Sequence, residues 1–150
     1  MFVYRVASRR YAADNSEGAR LNGGRWNNPG TPVIYTSASR SLAALEVIVN
    51  NGAIPVDHRV VVIQLPDSLS MESVAVNELA VGWPADDSGT ETADRGSAWA
   101  SPLRTAVLRV PSAVIPAERN YILNPQHPDF AIIKFDDPIS EYLDPRLRMK

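Results

Sequence analysis

Apolar and polar positions alternate in short runs along most of this chain. FVYRV (2–6), TPVIYTS (31–37), HRVVVIQLP (58–66), TAVLRVPSAVI (105–115) and DFAIIKF (129–135) are rich in β-branched and aromatic residues. Each has Pro, Gly, Asn or Asp nearby, so the pattern predicts short strands. One stretch departs from this. SRSLAALEVIVN (39–50) strings together helix formers, Ser39 can cap its start, and Asn51-Gly52 supplies a stop, which predicts a helix. A second helix is predicted over about 71–81. ADDSGTETADRGS (85–97) has no apolar period and reads as a mobile surface loop between Trp83 and Trp99, with the reach of a lid. No repeat, heptad run or low-complexity tract is present, and the 12 prolines are scattered as punctuation. The pattern predicts one domain over 1–150, a compact, β-rich α+β fold.

Composition agrees, since 150 residues at 45% hydrophobic suffice for one buried core. The net charge of −2, with no clustering of Lys and Arg, argues against binding to a phosphate backbone. With no cysteine and with His58 and His127 far apart, no metal site or thiolate chemistry is expected. The first residues lack the basic-then-apolar layout of a secretory signal, and no window approaches ~18 apolar residues, so a soluble, cytoplasmic protein without a membrane partner is expected.

Within this frame a few residues stand out. At a helical period Glu46 lies on the same face as Leu42 and Val49, beside Leu45, where a carboxylate is costly without a partner. Either it sits at the edge of the apolar stripe and pairs with an arginine such as Arg40, or it is held there for chemistry. Arg25 follows Gly23-Gly24, a pair that permits a tight turn and close backbone approach, and Trp26 and Asn27 add a flat apolar wall and an amide. Such an arginine is either a solvated charge or a guanidinium presented to an anion. Tyr35 alternates with Val33 and Ser37 on one face of its strand, as core or as a ring beside a ligand. Ser112 lies outside any Gly-x-Ser-x-Gly elbow, so it either caps backbone or orients a partner. His127 between two prolines and His58 before a strand read as structural.

Taken together, GARLNGGRWNNPGTPVIYTS, the LAALE helix, LRVPSAVIP and NYILNPQHPDF resemble the RES domain, named for its arginine, glutamate and serine. The likeness runs from YRVAS at 4–8 to the strand after HPDF, with the unusual words in the family's order. It implies a fold similar to that of ADP-ribosyltransferase toxins. It also implies a toxin of a bacterial type II toxin–antitoxin pair, neutralised by an Xre-like helix-turn-helix protein, with homodimerisation inside that complex left open. The implied substrate is NAD+, with no resident cofactor and no metal. The acceptor is left open among water (a glycohydrolase), phosphate (a phosphorylase) and a protein (an ADP-ribosyltransferase), and a non-catalytic nucleotide- or partner-binding module is the alternative outside enzymology.

On that resemblance, Glu46, Arg25 and Tyr35 are the expected catalytic positions, and Arg5, Arg25, Trp26, Tyr35 and Ser112 the expected NAD-binding ones. Glu46 would favour positive charge developing on the ribose carbon. Arg25, supported by Arg5, would clamp the diphosphate with paired donors. Tyr35 would pack beside the nicotinamide or ribose with its hydroxyl available, and Ser112 would orient the substrate or Glu46. Apolar surface near 85–97 is the expected docking area for the antitoxin.

Overall fold

The computed structural model describes residues 1–85 and 90–148 and builds them around one seven-stranded sheet. Its strands are β1 (Phe2–Ser8), β2 (Ile34–Ser37), β3 (His58–Gln64), β4 (Met71–Ser73), β5 (Val107–Pro111), β6 (Arg119–Leu123) and β7 (Lys134–Phe135). They lie in the order β4-β5-β6-β2-β1-β3-β7. All pairs are antiparallel except β4 with β5, so this is an α+β domain built largely from hairpin-type neighbours.

The helices are α1 (Glu17–Asn22), α2 (Arg40–Asn51) and α3 (Glu91–Ala100). α2 begins where Ser39 Oγ accepts the Leu42 amide and ends at Gly52, whose positive φ of 79° closes the last turn. It packs on β1 and β2 through Ala43 and Ala44, small residues that let the helix axis come close to Val6 and Val60. The opposite face of the sheet carries a second apolar cluster that includes Val3, Ile34, Val61, Ile63 and Leu123. A third cluster gathers Trp26, Trp83, Trp99, Leu108 and Ile122.

Several elements differ from the sequence pattern, each for a physical reason. The helix expected over 71–81 is strand β4 followed by a 3-10 turn, Val76–Glu78, because Met71 and Glu72 pair with Val107 and Leu108 and the sheet overrides local propensity. Residues 91–97 of the expected loop belong to α3. Its buried positions are Thr92, Gly96, Trp99 and Ala100, a helical stripe so poor in large apolar side chains that hydropathy does not register it. Residues 86–89 of that loop, and the lid expected there, lie outside the described residues. The strand expected over 129–135 is mostly a 3-10 turn, Pro128–Ile132, started by His127, whose ring accepts the Asp129 amide. The expected strand over 105–115 stops at Pro111, and the chain returns as β6, which the pattern did not isolate. Among the described residues no helix is long and apolar enough to cross a membrane.

Candidate functional site

The β5–β6 hairpin sets up the first half of the site. Val110 faces Asn120 across the hairpin, and Ser112, two residues beyond Val110, returns to the same face. Ser37 in β2 lies opposite Asn120, and Tyr4 in β1 lies opposite Ser37. Tyr4 packs against the α2 cluster, so Ser112, Asn120 and Ser37 all look toward α2.

From α2, Glu46 reaches down to meet them. Ser112 Oγ donates to Glu46 Oε1 at 2.8 Å and Asn120 Nδ2 donates to the same oxygen at 2.5 Å. Ser112 is fully buried; its lone pairs take the amides of Val114 and Ile115 at 3.0 and 3.1 Å, so its single proton is directed at the carboxylate. Asn120 Oδ1 in turn accepts from Ser37 Oγ at 2.8 Å. Both bonds to Glu46 land on Oε1, and among the described residues Oε2 has no donor. The alternative pairing with Arg40 is not what forms: Arg40 pairs with Glu141 at 2.9 Å and lies over the Tyr4 ring at 4.4 Å. Leu45 and Val49, expected to share an apolar face with Glu46, are exposed, which places the half-buried carboxylate at the stripe's edge.

The glycine turn makes the second half. Gly23 takes a positive φ of 71°, and Gly24 and Asn27 bridge through their main chains. Asn27 is buried; its amide nitrogen donates to the Ala19 and Thr31 carbonyls at 2.8 and 2.9 Å. Its Oδ1 accepts the Tyr35 hydroxyl at 2.7 Å, while that hydroxyl accepts the Trp26 amide at 2.9 Å. The Tyr35 hydroxyl is therefore engaged on both sides. Burial pushes the Tyr35 phenol well above its ordinary pKa; the Trp26 amide and the Arg25 charge oppose that rise, and the Glu46 charge adds to it. The Arg25 and Glu46 charges are thus both felt at the Tyr35 phenol.

Other expected residues are placed differently. Trp26 is 2% exposed and its ring packs against Trp83 with centroids 6.5 Å apart, so it serves the core instead of forming an open wall. Arg5 shares the Val3 face of β1, away from α2, and donates to the Ala13 and Asn15 carbonyls at 3.1 and 2.8 Å. Its guanidinium is held on the opposite side of the sheet from Glu46, because strand alternation separates it from Tyr4. Arg25 donates to the carbonyls of Trp83, Pro84 and Ala85 at 2.8, 3.1 and 3.2 Å, three acceptors on one stretch of main chain. His58 is buried with Nδ1 3.0 Å from the Pro55 carbonyl. Among the described residues no three His, Cys, Asp or Glu side chains are placed to hold a metal.

Asn120 and Ser37 escaped sequence reasoning. The one available signal is a polar amide inside the apolar run NYILN, in a strand environment that disfavours Asn.

Known proteins align with this chain over most of its length. The family model described as RES domain matches residues 2–144. A protein of Sphingobium sp. (strain YBL2) named Prs ADP-ribosylating toxin is 40% identical, covering 98% of this chain and 96% of its own. Proteins named Toxin Res from Photorhabdus laumondii and Yersinia enterocolitica are 37% and 34% identical, covering 87% and 99% of this chain and 85% and 100% of their own. Among solved structures, the M. tuberculosis MbcT-MbcA toxin-antitoxin complex contains a chain that superimposes with a TM-score of 0.75 at 21% identity, over 92% of this chain and 82% of that one. At that identity the likeness concerns the fold.

Proposed function

The chain belongs to the RES domain family, and from that premise we propose that it is the toxin of a toxin–antitoxin pair that cleaves the nicotinamide–ribose bond of NAD+. The observation that carries this reading is the one-sided anchoring of Glu46. Two donors fix Oε1, while Oε2 is left to a ligand. When the C1′–N bond breaks, its electron pair passes to the nicotinamide nitrogen and neutralises the pyridinium. Positive charge gathers on the ribose ring, as in glycoside cleavage. A carboxylate oriented before the reaction favours that charge without reorganising as it forms, and Oε2 can also accept a ribose hydroxyl. The neutral nicotinamide leaves without a general acid, so His58 and His127 have no step to perform.

The remaining residues take supporting roles. Arg25 already satisfies three carbonyl oxygens with its fork of donors. Phosphate oxygens of the substrate's diphosphate would replace carbonyls there, with stronger charge-assisted bonds. The Tyr35 ring packs beside the reacting ribose, and Ser112 orients Glu46. NAD+ is consumed as substrate, with no resident cofactor. The chemistry ends when an acceptor oxygen bonds C1′ and gives up its proton.

Water or phosphate as acceptor would deplete NAD+. A protein acceptor is the second reading, supported by the name of the Sphingobium relative. Neutralisation falls to a cognate antitoxin of the helix-turn-helix, Xre-like kind, with Val76 and Val81 as exposed apolar contacts close to the segment expected to dock it.

The test is to incubate the antitoxin-free protein with NAD+, with and without phosphate and then with cell lysate, following nicotinamide and the ribosyl product by mass spectrometry. Release by wild type and not by Glu46→Gln supports the enzyme, and the product mass names the acceptor. Silence in every condition supports a binding module instead.

A further inference from the structure

Glu46 has a side chain long enough to sample many rotamers, yet its useful geometry needs one particular oxygen turned outward. The residues beneath it are arranged to select that oxygen. An ionised carboxylate only accepts, so the amide of Asn120 must turn its nitrogen toward Glu46. Its Oδ1 is thereby turned the other way and needs a donor, and the Ser37 hydroxyl supplies one at 2.8 Å. Hydrogen-bond polarity thus runs one way, from Ser37 to Asn120 to Glu46. Ser37 and Asn120 are 4% and 8% exposed, so water cannot readily substitute for either contact.

We infer that Asn120 is a positioning residue for the NAD+-cleaving reaction, oriented by Ser37, and that the pair determines which oxygen of Glu46 faces the substrate. This rests on the function proposed above. Ser112 alone would fix a single direction at Oε1 and leave the carboxylate free to swing about that bond. Asn120 adds a second donor from the neighbouring strand, and two donors on one oxygen define the orientation of the whole group. The contact is not needed to hold α2 in place, because Leu42, Ala43 and Ala44 already bury the helix and Ser39 and Gly52 cap it.

Ser37 donates to Asn120 and not to Glu46, so its replacement acts on the carboxylate through the orientation of Asn120. In Ser37→Ala the Asn120 amide loses the donor that fixes its turn. The expected result is a fall in kcat of about 10-fold for nicotinamide release from NAD+, with KM close to wild type and a lowered Tm, because the buried Asn120 Oδ1 is left without its donor. Ser37→Thr, which keeps the hydroxyl, should restore most of kcat. Asn120→Asp places a second carboxylate against Glu46 and should lower kcat by more than about 100-fold.

These three variants, Glu46→Gln and wild type would be compared for kcat, KM and Tm. A Ser37→Ala protein with wild-type kcat and a lowered Tm assigns the network to stability and overturns the inference while the proposed function stands. If Ser37→Ala does not fold, Asn120→Asp decides, and full activity there overturns it equally. Wild type that releases no nicotinamide, with or without lysate, overturns the proposed function and the positioning role together.

Discussion

Gly96 of α3 lies directly on the main chain of Trp26: a Cβ at Gly96 would sit 1.9 Å from the Trp26 carbonyl oxygen. No side chain fits there, and the obstacle is backbone, which cannot turn aside. Gly96→Ala should therefore push α3 off the glycine turn and destabilise the fold by about 1–3 kcal/mol, read as a fall in Tm. An unchanged Tm would mean that α3 is not seated on the turn as described.

Gly24 has a similar relation to Tyr35. A Cβ there would lie 2.6 Å from the phenol oxygen, which is pinned by bonds to Trp26 and Asn27 and has little room to yield. Gly24→Ala should displace the ring and lower kcat/KM for NAD+ by at least about 10-fold. Steady-state assays at a temperature where the variant is fully folded would check this, and normal kinetics would remove Tyr35 from the reacting face.

These contacts explain how much of the site was legible in advance. Glu46 declared itself because an acid among Leu42, Leu45 and Val49 demands a partner, and Ser112 through the family likeness that LRVPSAVIP carries. Neither the partner of Glu46 nor its geometry could be read, since Asn120 lies 74 residues away and only the β5–β6 hairpin brings it back. Arg5 was expected to support Arg25, but strand alternation places it on the face of the sheet away from Glu46. α3 was hidden for a different reason: its buried stripe includes Gly96 and Ala100, whose value is closeness of approach and not hydrophobic area. Local pattern marks β1, β2, β3, β5 and α2, while long-range pairing decides which polar groups meet.

Arg25 spreads its donors over three carbonyls, a geometry that follows from a planar fork. A lysine keeps the charge and loses the fork. Arg25→Lys should raise KM for NAD+ by about 10-fold or more while kcat changes little, because the diphosphate lies away from the breaking bond. Initial rates across a range of NAD+ concentrations separate the two parameters. A wild-type KM in this variant would exclude Arg25 as the anion clamp.

Tyr35 also gives the fold a pH dependence. Its phenol is neutral and buried, with a pKa raised first of all by burial. In the unfolded chain the same group ionises near its ordinary value of about 10. Below that pH both states carry the proton and the stabilisation is complete. As pH climbs past it, the unfolded state loses its proton while the native state keeps it, so stability falls until the raised native value is passed. Tyr35→Phe removes this term. It also leaves the Trp26 amide without its acceptor, at a cost of about 1–3 kcal/mol at neutral pH. The variant should therefore start less stable than wild type and lose less stability above about pH 10, so that the two urea-unfolding curves converge as the medium becomes alkaline. Curves that stay parallel through that range would show that the Tyr35 phenol ionises in the folded protein as it does in the unfolded chain.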